Sequence, residues 1–258
     1  MTSTQLLQGK KALVLGVANE RSLGWAIARE LHAQGAEIAF NYLGEALERR
    51  VRPLAESVGA QIIEPCNVAD DAQIDALFEK VQQKWGHLDF LIHSVAFANR
   101  EDLDRRFVET SREGFRVAMD ISAYSLVAVA KRAEPLMEGR NGAIVTLSYY
   151  GAEKVVPNYN VMGVAKAALE ACVRYLAYDM GPKKIRVNAI SAGPVKTLAA
   201  AGIRDFREML KTAEEKTPLK ETITQEDVGH LGAFLCGPGG KHITGTVMYV
   251  DSGANIMA

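Results

Sequence analysis

Short apolar, β-branched runs alternate with helical patterns along nearly the whole chain, and this alternation limits the fold more than any other feature. Residues 11–17 (KALVLGV) form a continuous apolar run of the kind buried on both faces of a parallel sheet. Residues 25–34 take up a 3.6-residue period that Gly35 closes. The same pairing repeats: strand 37–42 and helix 46–58, strand 61–65 and helix 71–85 with Gly86 as its stop, then strand 90–94. Residues 99–108 are charged and irregular, after which Thr110 to Glu113 reads as a capping box. It opens a long, mostly apolar helix to about Met137, expected to be buried and partly to serve a subunit interface. Strand 143–147, a helix from Tyr159 to about Met180, strand 185–190, a helix capped by Thr224 and Asp227 that runs to Leu235, and strand 246–250 complete the pattern. Right-handed crossovers turn such a pattern into an α/β fold, a Rossmann-like doubly wound parallel sheet with helices on both faces. No linker, repeat or composition shift divides it, so residues 1–258 read as a single domain.

Composition narrows the function classes. With 258 residues and 48% hydrophobic content there is material for one sizeable core. A formal net charge of −1 argues against a nucleic-acid or membrane-surface binder. No apolar run is long enough to span a bilayer, and the opening MTSTQLLQGKK lacks the apolar core of a secretory signal. Cys66, Cys172 and Cys236 are scattered and lack metal spacing; they read as small core residues of a protein in the reducing cytoplasm. The five histidines show no metal-binding pairing, so no metal is expected.

In a doubly wound sheet the ligand sits beyond the carboxyl ends of the strands, and the motifs gather there. Gly16, with Ser22-Leu23-Gly24, lies between the first strand and first helix. Glycine lets the backbone approach a pyrophosphate, and helix amides with the Ser22 hydroxyl can hold it; an ordinary capped βα turn would look the same. Asn67-Val68 follows the third strand and suits an adenine edge and face, or is a simple strand-end turn. Residues 94–98 (SVAFA) suit the floor of a nicotinamide pocket, or core. Tyr159 and Lys166 open the 159–180 helix. Seven steps of about 100° make almost two turns, which puts phenol and ammonium on one face. A cation there is expected to lower the tyrosine pKa from its free value of about 10. Taken alone, a chance pair of common residues fits equally well.

Taken together, GVANERSLG, Asn67-Val68, HSVAFA, LSYYGAEKVVPNYNVMGVAK and NAISAGPVKTLAAAGI resemble the bacterial NADH-dependent enoyl-acyl-carrier-protein reductases, a divergent branch of the short-chain dehydrogenase/reductase family. The resemblance runs from about Gly9 to Asp251-Ser252-Gly253 and is most specific from Ser148 to Ile203. It implies a homotetramer that reduces the trans-2,3 double bond of a fatty acyl thioester on acyl carrier protein, the last step of each elongation cycle in type II fatty acid biosynthesis. It also implies roles. Tyr159 hydrogen-bonds the thioester carbonyl, Lys166 holds the nicotinamide ribose, and Tyr149 lines the acyl pocket. Gly16, Ser22 and Leu23 hold the pyrophosphate, and Asn67 and Val68 the adenine. Val95 with Val195, Lys196, Thr197, Leu198 and Ala199 covers the nicotinamide, and the Ala98 backbone contacts substrate.

Two departures bear on the coenzyme. Leu43 stands where members often carry glutamine, and Asn67 where they often carry aspartate. Leu43 offers the adenosine ribose no side-chain hydrogen bond; Arg49 and Arg50 come too late to sit at the end of the second strand and pair a 2′-phosphate, so NADH is favoured over NADPH. The larger family uses Tyr-x3-Lys, but the residue four before Lys166 is Met162, so the phenol has moved back three residues, about 4.5 Å along the helix axis. Ketone reduction needs a proton beside the carbon that takes hydride, whereas conjugate reduction needs a donor for an oxygen further away. The long 194–216 connection reads as a lid over the acyl chain and nicotinamide. Arg204, Arg207 and Lys211 share a helix face that is either a solvated surface or a dock for an acidic carrier. The rival readings are a short-chain ketone or alcohol dehydrogenase and a coenzyme-binding protein without turnover.

Overall fold

A computed structural model describes residues 5–195, 197, 210 and 214–257. Its seven strands are β1 (Lys11–Leu15), β2 (Glu37–Tyr42), β3 (Ile63–Pro65), β4 (Phe90–His93), β5 (Ala143–Ser148), β6 (Arg186–Ala192) and β7 (Val247–Val250). They pair in parallel in the order β3-β2-β1-β4-β5-β6-β7. The order reverses between β1 and β4, so the connections after these strands leave in opposite directions and open a crevice at their carboxyl ends.

Side-chain alternation along the strands builds two apolar layers. Leu13, Leu15, Leu91 and Ile144 pack under α3 (Asp71–Trp85), α6 (Ser125–Met137) and α7 (Asn160–Met180). Val14, Phe40, Ile92 and Val145 pack under α1 (Leu23–Ala33), α2 (Gly44–Ser57) and the helix Gln225–Cys236, here α8. With both faces covered, the central strands β1, β4 and β5 are mostly apolar, which is why their sequences do not alternate.

Local chemistry ends the helices where composition predicts. Asp70 accepts from the amides of Ala72 and Gln73 to start α3, and Gly86 at φ 71° stops it. Thr224 and Asp227 form the reciprocal cap of α8. The region after β4 differs from expectation. Residues 99–108 contain a short helix, α4 (Arg100–Asp104), and a 3-10 turn at Phe107–Glu109. Thr110 is not the cap of the next helix, because its hydroxyl donates back to the Phe107 carbonyl at 2.7 Å. Ser111 caps α5 (Arg112–Met119) instead, accepting from the Gly114 amide at 2.9 Å. The single long helix expected from here to Met137 is α5 and α6 joined by a π-turn, Asp120–Tyr124, where the Ser125 hydroxyl donates to the Ile121 carbonyl at 2.6 Å. Burial is uneven along it: α6 is largely core, while Phe115 and Tyr124 are exposed.

Candidate active site at the carboxyl ends of the strands

The β1–α1 turn depends on glycine for a steric reason. Gly16 has φ +85°, and a Cβ there would stand 2.2 Å from the Ser94 carbonyl oxygen. A Cβ on Gly24 would stand 2.8 Å from Ser94 Cβ. The turn and the start of α1 thus lie directly against the end of β4, leaving their backbone on the crevice side. Ser22, buried before α1, accepts from the amides of Ala18 at 3.0 Å and Asn19 at 3.2 Å. Two acceptances occupy its lone pairs, so the hydroxyl hydrogen is the group left to donate. The first amides of α1, Leu23 and Gly24, have no acceptor within the helix. A donor hydroxyl, orphan amides and a close-running backbone make a cradle that fits the pyrophosphate of a dinucleotide.

Asn41, which the sequence reading did not single out, holds this cradle. It is buried near the end of β2, accepts from the Gly16 amide at 2.9 Å and donates to the Cys66 carbonyl at 3.0 Å. Its signal was present: one amide inside the apolar strand EIAFNY. Asn67 and Val68 follow Cys66. Asn67 Oδ1 already accepts from the Ala69 amide at 3.1 Å, so its Nδ2 hydrogens and remaining lone pair are what an adenine would meet. Val68 is buried beside it.

After β4 the chain runs through Val95 to Ala98 along the crevice. Ser122, fully buried in the π-turn, accepts from the Phe97 amide at 2.9 Å and donates to the Phe97 carbonyl at 3.0 Å. Both backbone groups of Phe97 are thereby fixed, and Ala98 follows directly. Met162 Sδ lies 3.7 Å from the same hydroxyl, so the position that holds tyrosine in Tyr-x3-Lys enzymes faces the interior. His93, fully buried at the end of β4, lies between Thr146 Oγ1 at 2.9 Å and Ser125 Oγ at 2.8 Å. Burial, with the Lys166 charge nearby, pulls its pKa down to about 3, which leaves a neutral ring.

Tyr149 and Tyr159 meet edge to face with ring centroids 4.9 Å apart. Tyr149 follows β5, and Tyr159 is the residue before α7. Glycines permit the contact: a Cβ on Gly151 would stand 2.5 Å from the Tyr159 ring, and one on Gly163 would stand 2.7 Å from the Gly151 carbonyl. The expected lysine effect on Tyr159 is overturned. Burial pushes its phenol above the ordinary range, and Tyr149 pushes the same way. The reason is that desolvation outweighs any distant cation, and the Lys166 ammonium is engaged elsewhere, donating to the Leu147 carbonyl at 2.6 Å. Tyr159 is therefore a protonated donor at neutral pH. Lys166 itself is 6% exposed, and burial pulls it down to about 8 against the upward pull of Glu170.

The structure thus places Gly16, Ser22, Leu23, Asn67, Val68, Val95, Ala98, Tyr149, Tyr159 and Lys166 at the carboxyl-end side of the sheet, with Val195 and Thr197 following β6. Lys196, Leu198 and Ala199 lie outside the described residues, as do Arg204, Arg207, Lys211 and most of the 194–216 segment. Among the described residues no three His, Cys, Asp or Glu side chains gather as a metal site, and no helix is long and apolar enough to cross a membrane.

Comparison with known proteins agrees with this geometry. The family model described as enoyl-(acyl carrier protein) reductase matches residues 16–255. A curated relative from Aquifex aeolicus, the enoyl-[acyl-carrier-protein] reductase [NADH] FabI, is 53% identical over 98% of this chain and 93% of its own. The Bacillus cereus enoyl-acyl carrier protein reductase, solved with NADP+ and an indole naphthyridinone, superposes with a TM-score of 0.95 at 51% identity, covering 98% of this chain and 99% of that one. The Anaplasma phagocytophilum reductase, solved with NAD, gives 0.93 at 48% identity, covering 98% and 94%. By family match and by identity along nearly its whole length, the chain belongs to the enoyl-(acyl carrier protein) reductases.

Proposed function

We propose that this protein reduces the trans-2,3 double bond of enoyl thioesters carried on acyl carrier protein, using NADH, in fatty acid biosynthesis. The observation that carries the reading is the Tyr149–Tyr159 pair at the crevice, with Met162 turned to the interior at the position a ketone-reducing relative would need for its phenol.

The bound dinucleotide supplies a hydride. The chain's residues do the rest. Gly16, Ser22 and Leu23 hold the pyrophosphate, Asn67 and Val68 the adenine, and Lys166 the nicotinamide ribose. Val95, with Val195 and Thr197 and the adjoining Lys196, Leu198 and Ala199, covers the nicotinamide. Reduction at the β-carbon of a conjugated thioester sends negative charge to the carbonyl oxygen. The Tyr159 phenol, kept protonated by burial, donates a hydrogen bond to that oxygen, and the Lys166 charge steadies it. Both interactions strengthen as charge develops, so they favour the transition state over the ground state. Tyr149 packs on Tyr159 and walls the acyl pocket, while the Ala98 backbone contacts substrate.

The reading extends to a cytoplasmic homotetramer. The three free cysteines suit a reducing compartment, and Tyr124, Val164, Tyr175 and Tyr178 leave exposed apolar surface on the α6 and α7 side for subunit contacts. The test of function is NADH absorbance with a crotonyl thioester, run against ketone substrates and repeated with NADPH. Rapid thioester-dependent loss is expected. Oxidation only with ketones would put the chain with the alcohol dehydrogenases, and none with either would leave a binding protein.

A further inference from the structure

Glu170 stands one turn beyond Lys166 on α7, is 7% exposed, and has no part in the steps above. The two buried side chains meet β5 at adjacent residues. Lys166 Nζ donates to the Leu147 carbonyl at 2.6 Å, and the Ser148 hydroxyl donates to Glu170 Oε1 at 2.5 Å. Among the described residues no carboxylate forms a direct ion pair with Lys166. Its near charge is Glu170, one turn along the same helix face.

We propose that Glu170, oriented by Ser148, is a positioning residue that supplies the counter-charge for Lys166 and so keeps the ammonium in place and charged where the nicotinamide ribose docks. This rests on the reading of Lys166 as a coenzyme-binding residue. Burial works against both charges, lowering Lys166 and raising Glu170. Glu170 opposes the first shift, and the Ser148 hydrogen bond opposes the second. Lys166 faces His93 of β4, held neutral, and has Glu170 on its own helix. Glu170 faces Glu153 from the turn after β5, Tyr249 of β7, and Arg174 and Lys166 of α7. Burial pulls Lys166 down to about 8, so its counter-charge sets how far a ribose site built on that ammonium survives mild alkali.

The experiment follows two quantities from pH 6 to 10, for wild type, Glu170→Gln and Glu170→Asp. One is kcat/KM for NADH at saturating crotonyl thioester, which reports ionisations of the free enzyme. The other is NADH affinity by fluorescence titration without thioester. In Glu170→Gln, the alkaline limb of both profiles moves down by about one pH unit, the low end of what a near opposite charge contributes. Values at pH 6 converge on wild type, and Glu170→Asp, which keeps the charge, restores the limb. A folded Glu170→Gln whose limb stays in place, or whose loss is equal at every pH, overturns the proposal. Should that variant not fold, Ser148→Ala carries the test: its carboxylate loses the hydroxyl that orients it, and the limb must move the same way by less. Absent turnover in wild type would sink the enoyl-reductase reading and still leave the affinity profile to decide the role of Glu170.

Discussion

Two buried carboxylates sit at opposite ends of the same sheet and are held in different ways. Asp89, at the amino end of β4 and 1% exposed, is surrounded by cationic and donor groups: Lys10 Nζ at 3.0 Å, Arg140 Nε at 3.3 Å and the Lys11 amide at 3.0 Å. Glu170, at the carboxyl end, has a neutral hydroxyl as its bonded partner, and Lys166 beside it has a carbonyl. A buried charge with full pairing ties elements together and leaves little field over. A buried charge hydrogen-bonded only to neutral groups, with its opposite charge a turn away, keeps more of its field for something that arrives later, and its pKa shifts as a result. On this comparison, the Asp89 end of the sheet is built for stability and the Lys166 end for chemistry.

The comparison breaks most directly at Tyr159. Tyr159→Phe is expected to cut kcat/KM for the thioester about 10³-fold, about 4 kcal/mol of transition-state stabilisation, with the melting temperature nearly unchanged. Retained turnover would remove the catalytic end from the argument. Asp89→Asn should do the reverse. Leaving Lys10 and Arg140 without their shared carboxylate costs about 3 kcal/mol in urea unfolding, while kcat of the folded protein stays within about twofold. A kcat loss without a stability loss would show that the two ends are not specialised as described.

His93 sharpens the contrast, since it is at the catalytic end yet neutral. Its folded pKa of about 3 lies below the ordinary 6.5, so between these values the unfolded chain takes up a proton that the folded chain refuses. Its contribution to stability is therefore complete above pH 6.5 and is lost as pH falls, by about 1.4 kcal/mol per unit. The wild-type urea midpoint should fall more steeply between pH 6.5 and 5 than that of His93→Gln. Parallel slopes would mean that the ring is protonated in the folded state.

The strands were legible because parallel strands buried on both faces must be apolar, and KALVL, FLIH and AIVTLS are all of this kind. The glycine turn after β1 was legible because only a few residue types tolerate its geometry. The π-turn at Asp120–Tyr124 was not, since Ser122 and Ser125 become its bracket only when Phe97 and His93 arrive from β4. Spacing alone put Tyr159 near Lys166, but the direction of its pKa shift depends on burial, and burial is a property of the packed chain.

The smallest expected effect lies on the coenzyme side, where the contrast between the two ends can be extended to a group with no charge at all. Leu43 follows β2 as the residue before α2 and is 55% exposed. It gives the adenosine ribose no hydrogen bond, and a single neutral hydrogen bond is worth about 1 kcal/mol, or about fivefold in affinity. Leu43→Gln should therefore lower the KM for NADH about fivefold at constant kcat. It should leave NADPH behind, because an amide cannot neutralise a 2′-phosphate and the next arginines along the chain, Arg49 and Arg50, come further along α2, where Arg49 already faces Glu45 at 3.7 Å. If NADPH gained as much as NADH, the adenosine ribose would not be at the end of β2, and the placement of the coenzyme across the β1–β4 crevice would have to be redrawn.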